Sequence, residues 1–257
     1  MILEAKDLTK SFKKGRVKAV RGVSFSLEKG CTLGVVGESG SGKSTLVKIL
    51  MRLLDADKGE IYFKGVEIGR LKGNSLQEFR KKAQIIFQNP YLSLDPRMTV
   101  EEILREPFLL SGKKDKHFLE EKVLALLSQV ELAPSVAQRF SRELSGGECQ
   151  RIAIARAISR DPELLVCDEP VSSLDNLVQA QTLNLLLKLQ KEKGVSFIFV
   201  THNLRVARHM SDEVMVMKEG EVCEMGPRDA IFKNPKHSYT QLLIKQIPCQ
   251  DFTLDLR

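Results

Sequence analysis

Apolar residues along this chain fall into three rhythms, and each predicts a different kind of element. Ile2 to Leu8 and Val23 to Leu27 alternate apolar with polar positions, as does the shorter Glu60 to Phe63. Alternation at period two puts every second side chain on one face, so these predict half-exposed strands of an antiparallel sheet. Unbroken apolar runs at Leu33 to Val36, Leu164 to Val166, Phe197 to Val200 and Val214 to Met217 predict strands buried on both faces. From about Pro90 to Arg160 the spacing becomes three and four residues, in Val100 to Phe108, Phe118 to Val130 and Gly147 to Ser159, which predicts a helical subdomain. A further helix from about Leu177 to Lys193 separates two of the buried runs, the rhythm of a βαβ unit.

Chemistry enters directly after the buried run that ends at Val36. The stretch Gly37, Glu38, Ser39, Gly40, Ser41, Gly42, Lys43, Ser44, Thr45 joins that strand to a helix predicted from Ser44 to Met51. Phosphates need backbone N–H groups converging on them, and glycines where a side chain would clash or φ must be positive. Gly37, Gly40 and Gly42 meet that need, with the helix N-terminus facing the anion. Lys43 can then reach the β- and γ-phosphates, and Ser44 can ligate Mg²⁺. This predicts binding of a nucleoside triphosphate, ATP or GTP.

Composition narrows the class. A chain of 257 residues with 42% hydrophobic and 28% charged content can bury a full core. No apolar stretch approaches the roughly 18 residues that cross a bilayer, and Glu4, Lys6 and Asp7 do not suit a signal peptide. The net charge of +7 could suit nucleic acid. The basic runs Lys13-Lys14, Arg80-Lys81-Lys82 and Lys113-Lys114-Lys116 have no interleaved aromatics, however, and read as solvated faces, so no nucleic-acid partner is expected. Cys31, Cys149, Cys167, Cys223 and Cys249 form no C-x-x-C pair and read as reduced, mostly buried thiols.

Two further stretches complete the chemistry. In Leu164 to Pro170 an apolar strand ends in adjacent carboxylates: Asp168 can hold Mg²⁺, and Glu169 can orient and deprotonate an attacking water. Alone, that pair would serve equally as a loop start; its value comes from being joined with Lys43. In Leu144, Ser145, Gly146, Gly147 and Glu148, a serine and two glycines open a helix, which makes a second anion site. One nucleotide does not need two such sites in one chain, so this one is expected to meet the γ-phosphate bound by another subunit.

Taken together and in this order, these elements closely resemble the ATP-binding subunits of ABC transporters over nearly the whole chain. Walker A corresponds to Gly37 to Thr45, the Q-loop to Gln88, the signature to Leu144 to Glu148, and Walker B to Leu164 to Asp168, with Glu169 following. The D-loop corresponds to Ser172, Ser173, Leu174 and Asp175, and the switch histidine to His202. The A-loop aromatic that stacks on adenine would be Phe12, where many relatives carry tyrosine. Alone, Phe12 would suit a core, Gln88 a strand end and His202 a structural role.

The resemblance implies an α/β fold, the ABC-type P-loop NTPase, with a RecA-like parallel core, an antiparallel β subdomain and a helical subdomain. A single domain would span 1–257: the core with its β subdomain at about 1–88 and 161–230, the helical subdomain at about 89–160, and a tail at 231–257. It implies ATP and Mg²⁺ as cofactors, Ser44, Gln88 and Asp168 around the metal, and Glu169, His202, Lys43 and Gln88 as the catalytic set. It also implies a head-to-tail pair of ATPase subunits, each ATP lying between one subunit's Walker A and the other's signature.

Finer likeness lies in FQNPYLSLDPRMTV (Phe87 to Val100), CDEPVSSLDNLVQAQTLNLL (Cys167 to Leu186) and NPKHSYTQLL (Asn234 to Leu243). These resemble the oligopeptide, dipeptide and nickel importer group, in the form of the second of its two different ATPases. Two departures stand out: Ser173 where alanine is usual, and a short tail with Cys249 alone, which cannot form the cysteine-ligated cluster of some longer relatives. The resemblance implies a motor at the cytoplasmic face of the membrane, beside a second ATPase of different sequence, two transmembrane permease subunits and an extracytoplasmic substrate-binding protein. Peptide, nickel and metal chelate are all open as cargo. A soluble accessory or assembly ATPase is the alternative, distinguished by the lack of membrane partners.

Overall fold

The structure, a computed structural model, describes residues 1–12 and 15–246; Lys13, Lys14 and Cys249 lie outside the described residues. The chain runs β1 (Leu3–Phe12), β2 (Val17–Leu27), β3 (Thr32–Val36), α1 (Lys43–Leu50), β4 (Lys58–Phe63), β5 (Val66–Glu67), α2 (Gly73–Lys82), β6 (Ala83–Ile86), α3 (Pro90–Ser93) and α4 (Val100–Leu109). It continues through α5 (Lys116–Gln129), α6 (Gly146–Ile158), β7 (Leu164–Asp168), α7 (Asn176–Lys193), β8 (Ser196–Thr201), α8 (Leu204–Met210), β9 (Glu213–Lys218), β10 (Glu221–Pro227), α9 (Arg228–Lys233) and α10 (Ser238–Lys245).

The central sheet has the order β10-β9-β3-β8-β7-β6. From β9 to β6 its strands are parallel, and β3, β7 and β8 are buried along their whole length, as the unbroken apolar runs require. At one edge of this parallel core, β10 pairs antiparallel with β9. Only Glu219 and Gly220 join these two strands, both at positive φ, and so short a turn can only return the chain antiparallel.

The second sheet, β2-β1-β4-β5, is antiparallel throughout. Its inner face, with Leu3, Leu8, Val20, Val23 and Ile61, packs on Leu46, Ile49 and Leu50 of α1. A separate apolar cluster joins α4, α5 and α6 through Val100, Ile103, Val123, Leu127 and Ile152, and continues to α7 and to Phe197 and Phe199 of β8. The helical subdomain is therefore anchored on one face of the central sheet and the antiparallel sheet lies against the other.

From residue 228, two docked helices occupy the described part of the C-terminal segment: Ile231 and Phe232 of α9 and Tyr239 and Leu243 of α10 pack on Val36, Val214 and Val216. Of the described cysteines, Cys149 and Cys167 are buried while Cys31 and Cys223 are half-buried, so burial is less general than expected. Arg80, Lys82, Lys113, Lys114 and Lys116 are exposed and Lys81 is half-buried. Among the described residues no helix is long and apolar enough to cross a membrane.

Candidate functional site

Four neighbouring parallel strands, β3, β8, β7 and β6, deliver their C-terminal ends to one side of the central sheet, the edge at which parallel α/β sheets bind ligands. The loop after β3 turns into α1 through two glycines that no other residue could replace without movement. A Cβ on Gly37, at φ +151, would lie 2.1 Å from the Met217 carbonyl oxygen, and one on Gly42, at φ +103, would lie 2.1 Å from that of Ala19.

Beneath the loop lies Lys43, only 5% exposed. Its Nζ donates to the carbonyl oxygens of Gly37 and Glu38, each at 2.7 Å, and to Ser41 Oγ at 3.2 Å. Burial pushes the ammonium down, and the carboxylates of Glu169, Asp168 and Glu38 pull it back up.

At the end of β7 the adjacent carboxylates separate. Asp168 is buried, and its Oδ1 accepts a hydrogen bond from the Ser44 hydroxyl at 3.2 Å. Burial pushes its carboxyl up, and the Ser44 bond opposes that shift. A buried carboxylate beside a hydroxyl is an oxygen donor set that suits a hard dication such as Mg²⁺, so these residues fit the metal.

Glu169 adopts φ +50, a left-handed conformation rare for non-glycine residues and often found at functional sites. Its N–H donates to the Val200 carbonyl at 2.9 Å. Its Oε2 accepts from Gln88 Nε2 at 3.1 Å and lies 3.1 Å from His202 Nδ1. Gln88 follows β6 and His202 follows β8, so three adjacent strand ends meet on one carboxylate oxygen. Such an arrangement can hold a base still beside a water.

These groups border an open cleft of about 1150 Å³. Of the residues expected at the nucleotide, Phe12, Gly37, Glu38, Ser39, Gly40, Gly42, Lys43, Ser44, Thr45, Gln88, Glu169 and His202 line it. Ser41 is buried under the loop, and Asp168 reaches the site through Ser44. Phe12 is 39% exposed at the rim, with the Lys10 ammonium 6.0 Å from the centre of its ring.

Leu144 to Glu148 do not line the cleft. Ser145 instead caps α6, its Oγ accepting the Glu148 N–H at 3.3 Å while the Glu148 carboxylate accepts the Ser145 N–H at 2.8 Å. Gly147 allows this helix start to approach α7, since a Cβ there would lie 2.6 Å from Val178 Cγ1. In the D-loop, Ser172 donates back to the Glu169 carbonyl, Leu174 is half-buried and Asp175 caps α7. Ser173 is exposed, so its hydroxyl in place of a methyl meets no packing constraint.

Sequence reasoning missed Leu243 and Gln246, which also line the cleft. Their segment carried a group resemblance but no phosphate-binding pattern; the available signal was Tyr239 and Leu243 four residues apart, on one helix face.

Residues 20–172 match the ABC transporter family, and residues 223–257 match the oligopeptide/dipeptide transporter C-terminal region. The chain is 46% identical over 257 residues to the oligopeptide transport ATP-binding protein AppF of Bacillus subtilis (strain 168), covering 96% of this chain and 78% of that protein. It is 46% identical over 255 residues to the dipeptide transport ATP-binding protein DppF of Escherichia coli (strain K12), covering 96% and 76%. The ATP-binding cassette MJ0796, solved as a dimer in a post-hydrolysis state bound to ADP and Pi, matches with a TM-score of 0.80 at 30% identity, covering 88% of this chain and 99% of that one. With its phosphate loop and the Gln88, Glu169 and His202 cluster around a single cleft, the chain belongs to the ATP-hydrolysing subunits of ABC transporters, in the group of oligopeptide and dipeptide transport ATP-binding proteins.

Proposed function

We propose that this protein is the motor subunit of a membrane importer for small peptides, acting at the cytoplasmic face. The observation that carries the reading is the Glu169 carboxylate held by both Gln88 and His202 in the cleft that Lys43 closes from below. In this reading Lys43 and the loop amides bind the phosphates, and Ser44, Asp168 and Gln88 surround Mg²⁺, which neutralises phosphate charge when bound. Glu169 takes the proton from the attacking water, and His202 holds Glu169 and senses the γ-phosphate.

The signature at Leu144 to Glu148, which does not line the chain's own cleft, serves the ATP of a second ATPase subunit, a different chain. Ser172 to Asp175 lie between the two sites. Closing the pair on ATP and reopening it after hydrolysis drives two permease subunits, which receive cargo from an extracytoplasmic binding protein. Exposed Tyr91 and Leu92 beside Gln88 support a groove at Asn89 to Met98 for a permease helix. The names of the relatives favour peptide over nickel or metal chelate.

The test is capture of tagged Glu169→Gln protein with MgATP from detergent-solubilised membranes of the native cell, with partners identified by mass spectrometry. Two polytopic membrane proteins and a second ATPase are expected. Recovery of soluble partners alone, equally without membranes, would replace the importer with an accessory ATPase.

A further inference from the structure

Helix α10 touches the phosphate loop at one point. Tyr239, 5% exposed, packs with Val36, Val214 and Leu243, and its hydroxyl accepts the N–H of Glu38 at 3.3 Å. The carbonyl of that same Gly37–Glu38 peptide accepts Lys43 Nζ at 2.7 Å. A trans peptide is a rigid plane whose N–H and C=O point to opposite edges. The phenol therefore fixes one edge of the plane and the lysine ammonium is bonded to the other.

The phenol is itself held in place. Glu224 of β10 accepts the N–H groups of Lys236 and His237 at 2.8 and 3.0 Å, and His237 Nδ1 caps the helix by accepting the Tyr239 N–H at 3.1 Å. The Lys218 ammonium lies 4.8 Å from the centre of the Tyr239 ring. Burial pushes the phenol up, so it stays a neutral hydroxyl at physiological pH. Leu243, one turn further along α10, and Gln246 just beyond it border the nucleotide cleft.

We propose that Tyr239 is a positioning residue for the nucleotide, its hydroxyl fixing the Gly37–Glu38 peptide and, through it, the Lys43 ammonium against the β- and γ-phosphates. Helix α10 is then a working part of the ATP site. The inference rests on Lys43 being a phosphate ligand and is independent of cargo and partners.

The test compares wild type, Tyr239→Phe and Lys43→Ala in ADP affinity of the full-length chain, MgATP kinetics of the assembled complex, and melting temperature of the nucleotide-free protein. Phenylalanine keeps the ring and its packing and removes only the acceptor. One hydrogen bond corresponds to a loss of about 2- to 10-fold in ADP affinity. A matching rise in KM is expected, with kcat within about twofold, and loss of the bond lowers the melting temperature by about 2–4 °C. Wild-type affinity and KM in Tyr239→Phe, or a lowered melting temperature with affinity spared, overturns the proposal. If Lys43→Ala weakens ADP binding while Tyr239→Phe does not, the phosphate-loop reading stands and the role of Tyr239 alone falls. If neither does, both fall.

Discussion

Glu169 shows how much a single backbone conformation decides. At φ +50 it leaves the line of β7, so its carboxylate meets Gln88 and His202 while Asp168, one residue earlier, meets Ser44. The order strand, Asp, Glu was legible in the sequence because a strand end and two acids are local features. The positive φ of Gly37, Gly40 and Gly42 was legible for the same reason, since spacing alone specifies where the loop needs glycine; the burial of Lys43 was not. Tyr239 was not, because its contact with Glu38 spans 201 positions and no periodicity reports a contact of that range. At this scale Gly42→Ala places a Cβ against the Ala19 carbonyl in a left-handed backbone. It should cost at least about 1 kcal/mol, lowering the melting temperature by about 2–4 °C. Thermal unfolding of the nucleotide-free protein checks this, and an unchanged midpoint would show that the loop relaxes without strain.

Element boundaries were readable where the hydrophobic period is clean. Helix α4 begins at Val100 as its spacing indicates, fixed by the Thr99–Glu102 capping box. Strand β1 instead runs on to Phe12, beyond the alternation that ends at Leu8, because register shifts against β2 break the pattern there. Helix α2 offers only Leu76 and Phe79 to the core, a stripe too short to stand out among its polar neighbours. Strand β10 is half-buried along its interior rather than alternating.

Two predictions belong to these elements. Asp175 caps the 18-residue α7 by accepting the Val178 N–H at 3.0 Å, so Asp175→Ala should cost about 1 kcal/mol in denaturant unfolding. No loss would mean that water caps the helix equally well. Glu148, which caps α6, has its carboxyl held below its ordinary 4.5 by the Ser145 N–H and by Arg139, against an opposing effect of burial. A depressed folded value contributes stability above 4.5 that disappears as pH falls through the lower folded value. The stability gap between wild type and Glu148→Gln should therefore be constant at neutral pH and close as pH drops below 4.5; a gap that persists in acid would show that the charge of Glu148 contributes nothing to the cap.

Across the whole molecule, the two apolar cores lie on opposite faces of one sheet, and the strand ends between them hold the cleft. That organisation was legible because alternation, unbroken apolar runs and three- and four-residue spacing distinguish the antiparallel strands, the central strands and the helices. The antiparallel edge was not, because β10 is half-buried along its interior and carries no clear rhythm; the docking of α9 and α10 was not, because it depends on a surface formed only when β9 and β3 are already side by side. The loop of Gly37 to Thr45 borders that cleft, and the capped start of α6 at Ser145 lies outside its lining. Glu169 is the proposed base in that cleft, and the molecule's activity depends on it. The most direct measurement is MgATP binding and turnover by the assembled complex carrying Glu169→Gln. Binding like wild type is expected, with turnover reduced by about 10² to 10⁴; turnover equal to wild type would remove Glu169 from the role of base.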